Sequence, residues 1–305
     1  MSTNVTTNVA VQPSLIASVE TRKSRGLLRD AWGRLFHSWN GRVGLVVIGL
    51  TLLIGLLAPV VNPYDPTIDS NLAISRQAPS WEHLFGTDRL GRDVLQRIVH
   101  GTRVSLLIGF VVVFVSGGFG TVLGLIAGYF GRSVDTVIMR LMDVVLAFPA
   151  ILLAIAIVAV RGPGLFNTIV AVAVVGVPGY ARVVRSMVLS LRERDYVDAA
   201  RMIGVSNTRI MFVHILPNSL SPIIVQMTLG VGGAILFAAA LGFLGLGVQP
   251  PTPEWGAMIS DGLPFLRQSP NLVFYPGLAI MLTVTSFNLV GAGLREAMDP
   301  TRRGK

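Results

Sequence analysis

Apolar residues in this chain come in long unbroken blocks, not in the strict alternation of a half-buried strand or the three-and-four spacing of a soluble amphipathic helix. Six blocks reach the roughly 17 or more residues with which a helix crosses a bilayer core: about Val43–Val61, Val104–Ala127, Val144–Val160, Phe166–Val184, Leu220–Val248 and Leu272–Leu294. The pattern predicts an all-α polytopic membrane protein with about six transmembrane helices.

The polar stretches set the remaining boundaries. Residues 1–26, rich in Ser, Thr, Asn and Val without a period, read as a disordered cytoplasmic tail. Over 27–40, Leu27, Leu28, Ala31, Trp32, Leu35, Phe36 and Trp39 recur at helical spacing, with Arg29, Asp30, Arg34 and His37 between them. That is the pattern of an interfacial helix on the membrane surface, or of an amphipathic helix packed on protein. No apolar run in the first forty residues is a signal-peptide core, so the first span is expected to be retained. Residues 41–103 then hold that span and an external segment, 104–298 a five-helix core with a cytoplasmic loop at 185–217, and 299–305 a cytoplasmic tail.

Composition agrees. The 305 residues are 52% hydrophobic and 13% charged, with mean hydropathy +0.66, against about 25% charged in soluble domains. There are no cysteines, which removes disulfides, thiolate metal sites and cysteine nucleophiles together. The net charge of +9 is no nucleic-acid signature, because the basic residues sit between apolar blocks without an aromatic-interleaved patch. With both termini cytoplasmic, eighteen basic residues fall inside and seven outside, the positive-inside bias of a cytoplasmic (inner) membrane protein.

Within the six blocks no Asp, Glu, Lys, Arg or His occupies an interior position, apart from Arg182 at the inner end of the fourth. Proton- and voltage-coupled machines carry their charge on such groups, so a proton-driven transporter is disfavoured; sodium coupling through neutral oxygens stays open. Gly120, Gly124 and Gly128 repeat at four-residue spacing, the spacing of close helix packing. Pro149 and Pro178 are expected to kink the third and fourth spans. Gln226, Thr228, Thr283, Thr285, Ser286 and Asn288 either line a polar path or bond to neighbouring backbone.

No chemistry of the chain's own is expected. The chain has no G-x-x-x-x-G-K-[ST] phosphate cradle, and His37, His83, His100 and His214 lie apart with no H-E-x-x-H spacing and no G-x-S-x-G. No catalytic residue, metal site or cofactor of its own is expected.

The cytoplasmic loop is the most informative stretch. In Arg194-Asp195-Tyr196-Val197-Asp198-Ala199-Ala200-Arg201-Met202-Ile203-Gly204, Asp195 is placed to N-cap a two-turn helix, with Asp198 near N3 as a capping-box variant. Gly204 supplies a left-handed stop, and Ala199 and Ala200 form a small-residue surface. Ser206 is a second N-cap, and Leu216-Pro217 opens the next span. A loop helix of this kind also serves simply to satisfy its own backbone.

Asp198-Ala199-Ala200, Gly204 and His214-Ile215-Leu216-Pro217 resemble the E-A-A…G…I-x-L-P loop of ABC importer permeases, with Asp198 in place of the usual Glu and His214 in place of Ile. The stretch containing Gly86, Thr87, Asp88, Gly91, Arg92 and Asp93, followed by Gly101-Thr102-Arg103, is similar to the external segment of C-type permeases of the peptide and nickel branch, as is the closing Asp299-Pro300-Thr301-Arg302-Arg303. The resemblance implies a type I importer permease fold in which Asp198–Gly204 is the coupling helix. It implies as partners a homologous second permease subunit, two ATP-binding subunits that use ATP and Mg, an extracytoplasmic substrate-binding protein, and the lipid bilayer. Peptides are the expected substrate, with nickel or short saccharides as alternatives; a stand-alone secondary transporter or channel is the rival class.

Residue chemistry adds one reading of the external segment. Thr87-Asp88 is a helix-start signal, and Val94, Leu95, Ile98 and Val99 oppose Arg92, Gln96 and Arg97, as in a helix lying on the membrane surface. Two carboxylates, Asp88 and Asp93, without further ligands make a poor calcium site.

Overall fold

The computed structural model describes residues 33, 35–61, 63–65 and 69–298. The expected tails at 1–26 and 299–305 lie outside the described residues, as does half of the amphipathic stretch 27–40. Among the described residues the elements are helical: α1 (Trp39–Val61), α2 (Val94–Phe130), α3 (Arg132–Ala147), α4 (Ala150–Arg161), α5 (Leu165–Leu191), α6 (Asp195–Met202), α7 (Leu216–Phe243), α8 (Trp255–Gly262) and α9 (Asn271–Met298). Five of these stretches are long and apolar enough to cross a membrane, α7 together with the helical turns leading into it, and α3 with α4 makes a sixth if the bent pair is counted as one span.

Two spans depart from the sequence expectation. The second is one 37-residue helix, about 55 Å at 1.5 Å per residue and longer than a hydrocarbon core of about 30 Å. The surface helix expected at Val94–Val99 is therefore the first turns of α2. Nothing between Val94 and Val104 breaks it, and Gly101 lets Trp255 pack against it, a Cβ there falling 3.2 Å from the indole. The third span is bent by 89° between α3 and α4. Phe148 is extended (φ −91°, ψ 139°) because a residue preceding proline is forced out of the helical region. Pro149 thus breaks its span, whereas α5 runs through Pro178 as one helix.

The bundle is centred on α2 lying along α5. Gly120, Gly124 and Gly128 face α5: a Cβ at Gly124 would lie 2.4 Å from the Ala181 carbonyl oxygen and one at Gly128 would lie 2.7 Å from Val188 Cβ. The small residues bring two backbones together where lipid offers no hydrophobic drive for association. α7 and α9 close the other side, with Gly291 against Leu229, and α1 lies on α9 through Gly44, which meets Ser286 and Val290. Leu35 is fully buried beside Val225, Val290 and Leu294, so this part of the amphipathic stretch packs on protein, while Phe36 and Trp39 stay exposed.

The connections at one end of the bundle fold into a cap. Asn271 Nδ2 donates to the Phe85 carbonyl at 2.8 Å, the Phe85 and Tyr275 rings stack at 3.9 Å, and Trp255 Nε1 donates to the Ile98 carbonyl at 3.1 Å. Glu254 caps α8, accepting from the amides of Gly256 and Ala257 at 2.8 Å each.

Candidate functional site

Two groups of residues were singled out by sequence, and they lie at opposite ends of α2. The first is the turn from α5 into α7. α6 begins at Asp195, with Arg194 in the N-cap position and no side-chain cap; the expected Asp195 cap and Asp198 capping box do not form. Asp198 instead accepts from Arg201 Nη1 at 3.1 Å, one turn on. Acidic Asp195 and Asp198 in the first turn still favour the helix through its dipole.

The stop is as read. Gly204 has φ +80°, its amide donates to the Arg201 carbonyl at 3.0 Å and the Val205 amide donates to the Ala200 carbonyl at 3.0 Å, the paired bonds of a Schellman motif. Ser206 precedes the turn Asn207–Arg209 without a side-chain cap. A π-helical stretch, Ile210–Ile215, then runs into α7, and Pro217 sits in its first turn.

The two faces of α6 differ. Val197 and Ala200 are buried with Leu125, Tyr129, Val188 and Ile210, so Ala200 is part of the anchor and not of the expected surface. The outward side carries Asp198, Ala199 and Gly204 together with Tyr196, 41% exposed, Met202, 88% exposed, and Ile203, 80% exposed. Leu216 is partly buried and Pro217 exposed. Sequence reasoning passed over Met202 and Ile203; their signal was two large apolar residues directly before a helix-stopping glycine.

Polar contacts fix this turn to the bundle. Tyr129 Oη donates to Asn207 Oδ1 at 2.7 Å, Arg201 lies 5.4 Å from the Tyr129 ring centroid, and Arg192 Nη1 donates to the Gly128 carbonyl at 3.0 Å. α3 is tied to α5 by Arg185, whose Nη2 donates to Asp135 Oδ2 at 2.6 Å and whose Nε donates to Oδ1, and by Arg182 with Asp143 at 2.7 Å. The arrangement is a short helix anchored on one side by Val197 and Ala200, with Met202 and Ile203 exposed on the other.

At the opposite end, the second group folds around Asp88. Its Oδ1 accepts from the amides of Leu90 at 2.8 Å and Arg92 at 2.9 Å, and its Oδ2 accepts from Arg92 Nε and Arg97 Nη1 at 2.7 Å each. Thr87, Asp88, Arg92 and Arg97 are all buried. Gly91, at φ +74°, passes so close to Asn71 that a Cβ would overlap its carbonyl oxygen; Gly86 is likewise at positive φ. Asp93 is the N-cap of α2, accepting from the Gln96 amide at 3.0 Å, and lies 2.9 Å from His83 Nδ1. Thr87-Asp88 therefore builds a compact loop and does not start a helix; the cap falls five residues later. The carboxylates serve this loop, and no cluster of three or more His, Cys, Asp or Glu suited to a metal occurs among the described residues.

Of the neutral polar residues read as a possible path, Thr228 donates to the Ile224 carbonyl at 2.8 Å and Ser286 to the Leu282 carbonyl at 2.6 Å, each satisfying its own helix. Gln226 lines a cavity of about 450 Å³ with Val183, Ser221, Leu229 and Arg295.

Residues 120–304 match the family described as binding-protein-dependent transport system inner membrane component, and residues 26–79 match the N-terminal TM domain of oligopeptide transport permease C. The chain is 54% identical to a dipeptide transport system permease protein of Alkalihalophilus pseudofirmus, covering 89% of each chain. It is 47% identical to a di/tripeptide transport system permease protein of Pseudomonas aeruginosa, over 90% of this chain and 92% of that one. It is 43% identical to a glutathione transport system permease protein of Escherichia coli, over 90% and 91%. Among solved structures it resembles the MetNI methionine ABC transporter in an inward facing conformation, with TM-score 0.51 and 21% identity over 67% of this chain and 96% of that one.

Proposed function

The chain belongs to the family of binding-protein-dependent transport system inner membrane components, and from that premise we propose that it is the permease subunit through which an ATP-binding-cassette importer brings short peptides across the inner membrane. Relatives named for dipeptide, di/tripeptide and glutathione transport support the substrate class. In this reading the chain pairs with a homologous permease subunit and two ATP-binding subunits, and receives substrate from an extracytoplasmic binding protein. ATP and Mg act on the partner subunits; this chain supplies the path and the coupling element. Both termini and α6 face the cytoplasm, and the Asp88 loop with α8 faces outward, where the binding protein docks.

One observation carries the proposal: α6 buries Val197 and Ala200 behind it and leaves Met202 and Ile203 in front. Burial of a side chain of this size is worth about 1.5–3 kcal/mol, so the exposed pair is a ready contact for a partner groove. Closure of the ATP-binding dimer moves the bundle only insofar as that contact differs between the two states. Peptide uptake into proteoliposomes tests the reading. The four-subunit complex with its binding protein is expected to take up labelled dipeptide on ATP addition, and the chain reconstituted alone is expected to take up none; concentrative uptake by the chain alone would overturn it.

A further inference from the structure

Three polar side chains near the α6 end of the bundle converge on one cavity. It measures about 450 Å³ and opens where the last third of α5, the first half of α7 and the last turn of α9 face one another; Ser221, Gln226 and Arg295 line it together with Val183, Leu229 and Met298. The neighbouring hydroxyls of Thr228 and Ser286 bond back to their own helices. Ser221, Gln226 and Arg295 do not, and none of the three has a side-chain hydrogen bond or ion pair among the described residues. Gln226 lies ten residues into α7, about 15 Å along a helix of about 42 Å, so its amide sits at the depth of the hydrocarbon core. Hydrocarbon offers such an amide no bond, and a polar group at that depth without a protein partner belongs beside water or a polar ligand. The lipid-facing side of α1 is built differently: every exposed residue from Val46 to Val60 is apolar.

We infer that this cavity holds a short peptide on its way through the chain, with Arg295 on the C-terminal carboxylate, Gln226 and Ser221 on the peptide group, and apolar walls around the side chains. The inference rests on the peptide reading proposed above and adds the residues that hold the cargo. The lining carries one charge, positive, and no carboxylate, so it suits an anion. A guanidinium fork matches a carboxylate, and a glutamine amide both donates and accepts, as a peptide group requires. The volume falls within the roughly 300–1,000 Å³ of small-ligand sites. A phospholipid of the inner leaflet is the rival anion, but its phosphate stays at headgroup level and leaves the deeper Gln226 amide unanswered.

The chain contains no cysteine, so single-cysteine variants report on it directly. Val183→Cys on α5 and Met298→Cys on α9 are made in the four-subunit complex, with Leu56→Cys, 72% exposed on α1, as the lipid-facing control; the nucleotide-free complexes are held in lipid nanodiscs. The membrane-impermeant reagent sulfonatoethyl methanethiosulfonate is expected to modify both cavity positions and to spare Leu56→Cys. Alanyl-alanine is expected to slow modification of the cavity positions, and alanyl-alaninamide, which lacks the carboxylate, is expected to leave it unchanged. With Arg295→Gln added, the half-protecting concentration of alanyl-alanine is expected to rise by about tenfold, the order of one lost charge-assisted bond, and with Arg295→Lys by less. Modification only by lipid-soluble N-ethylmaleimide would show a lipid-filled groove, and resistance to both reagents a cavity filled by another subunit; either overturns the site. So would equal protection by the amide, or an unchanged half-protecting concentration in Arg295→Gln. ATP-driven uptake of alanyl-alanine by the parent complex separates the two levels: no uptake removes the substrate class proposed above, whereas uptake without protection removes this site alone.

Discussion

The Tyr129 hydroxyl donates to Asn207 Oδ1 at 2.7 Å, joining the last turn of α2 to the first turn after α6. The two residues are 78 positions apart in sequence, so this contact belongs to the tertiary fold and fixes the base of the turn proposed to couple to the ATP-binding subunits. Tyr129→Phe keeps the ring beneath Arg201 and removes one hydrogen bond, worth about 1 kcal/mol. Uptake in proteoliposomes is expected to fall several-fold while ATP hydrolysis by the complex persists. Unchanged uptake per ATP hydrolysed would show that the bond plays no part in coupling.

Gly204 permits no β-branched replacement without strain, because its φ of +80° lies where L-residues pay about 1–2 kcal/mol and β-branched ones more. A Cβ there meets nothing within 4 Å, so the cost is conformational and not steric crowding. Gly204→Val is expected to unwind the Schellman stop, abolish uptake and leave membrane insertion intact. Gly204→Asn, which tolerates the left-handed region, is expected to retain most activity.

Met202→Asp with Ile203→Asp changes two side chains that are 88% and 80% exposed. The chain's own stability is therefore expected to stay within about 0.5 kcal/mol, as for surface substitutions. Co-purification of the ATP-binding subunits is expected to drop steeply. A fully assembled transporter from the double variant would place the docking contact elsewhere on the loop.

Asp88 is the shared acceptor of two buried guanidinium groups. Asp88→Asn leaves Arg92 without its carboxylate and Arg97 with only the more distant Asp261, a loss of about 3–5 kcal/mol for breaking a buried pair. The thermal midpoint of the purified chain in detergent should fall by several degrees, with the cap around α8 loosening first, because Arg97 also reaches Asp261 at 3.7 Å. Hydrogen exchange over 85–100 and 255–272 would register it.

Burial pushes the Glu254 carboxyl above its ordinary range, against the opposing pull of its two backbone donors. The folded state therefore holds this proton more tightly than the unfolded chain. The sign follows from linkage: stability from this group is fully present below the ordinary glutamate range and is lost as pH rises from there through the raised folded value. Glu254→Gln stays neutral, so its melting curve should lack that falling component. An identical pH slope in the variant and the parent chain would assign the dependence to other groups.

Much of this protein was legible in its residue order. The number and nature of the spans follow from the length of apolar blocks, a property each segment carries alone, because a backbone in hydrocarbon must satisfy its bonds within its own helix. The Gly204 stop and the break at Phe148-Pro149 are local too, since φ restriction acts on a residue and its immediate neighbour. Even so, a kink was the expectation at Pro149, and an 89° turn is what formed.

What the chain order left open was decided by neighbours. Asp88 reads as a helix start until the fold brings Arg97 to it; Ala199 and Ala200 read alike until Leu125 and Val188 cover one of them. For the same reason, that Met202 and Ile203 stay exposed was not legible. A residue's type sets what it gains from being covered, but only the packing of distant helices determines which side is covered and which is left for a partner.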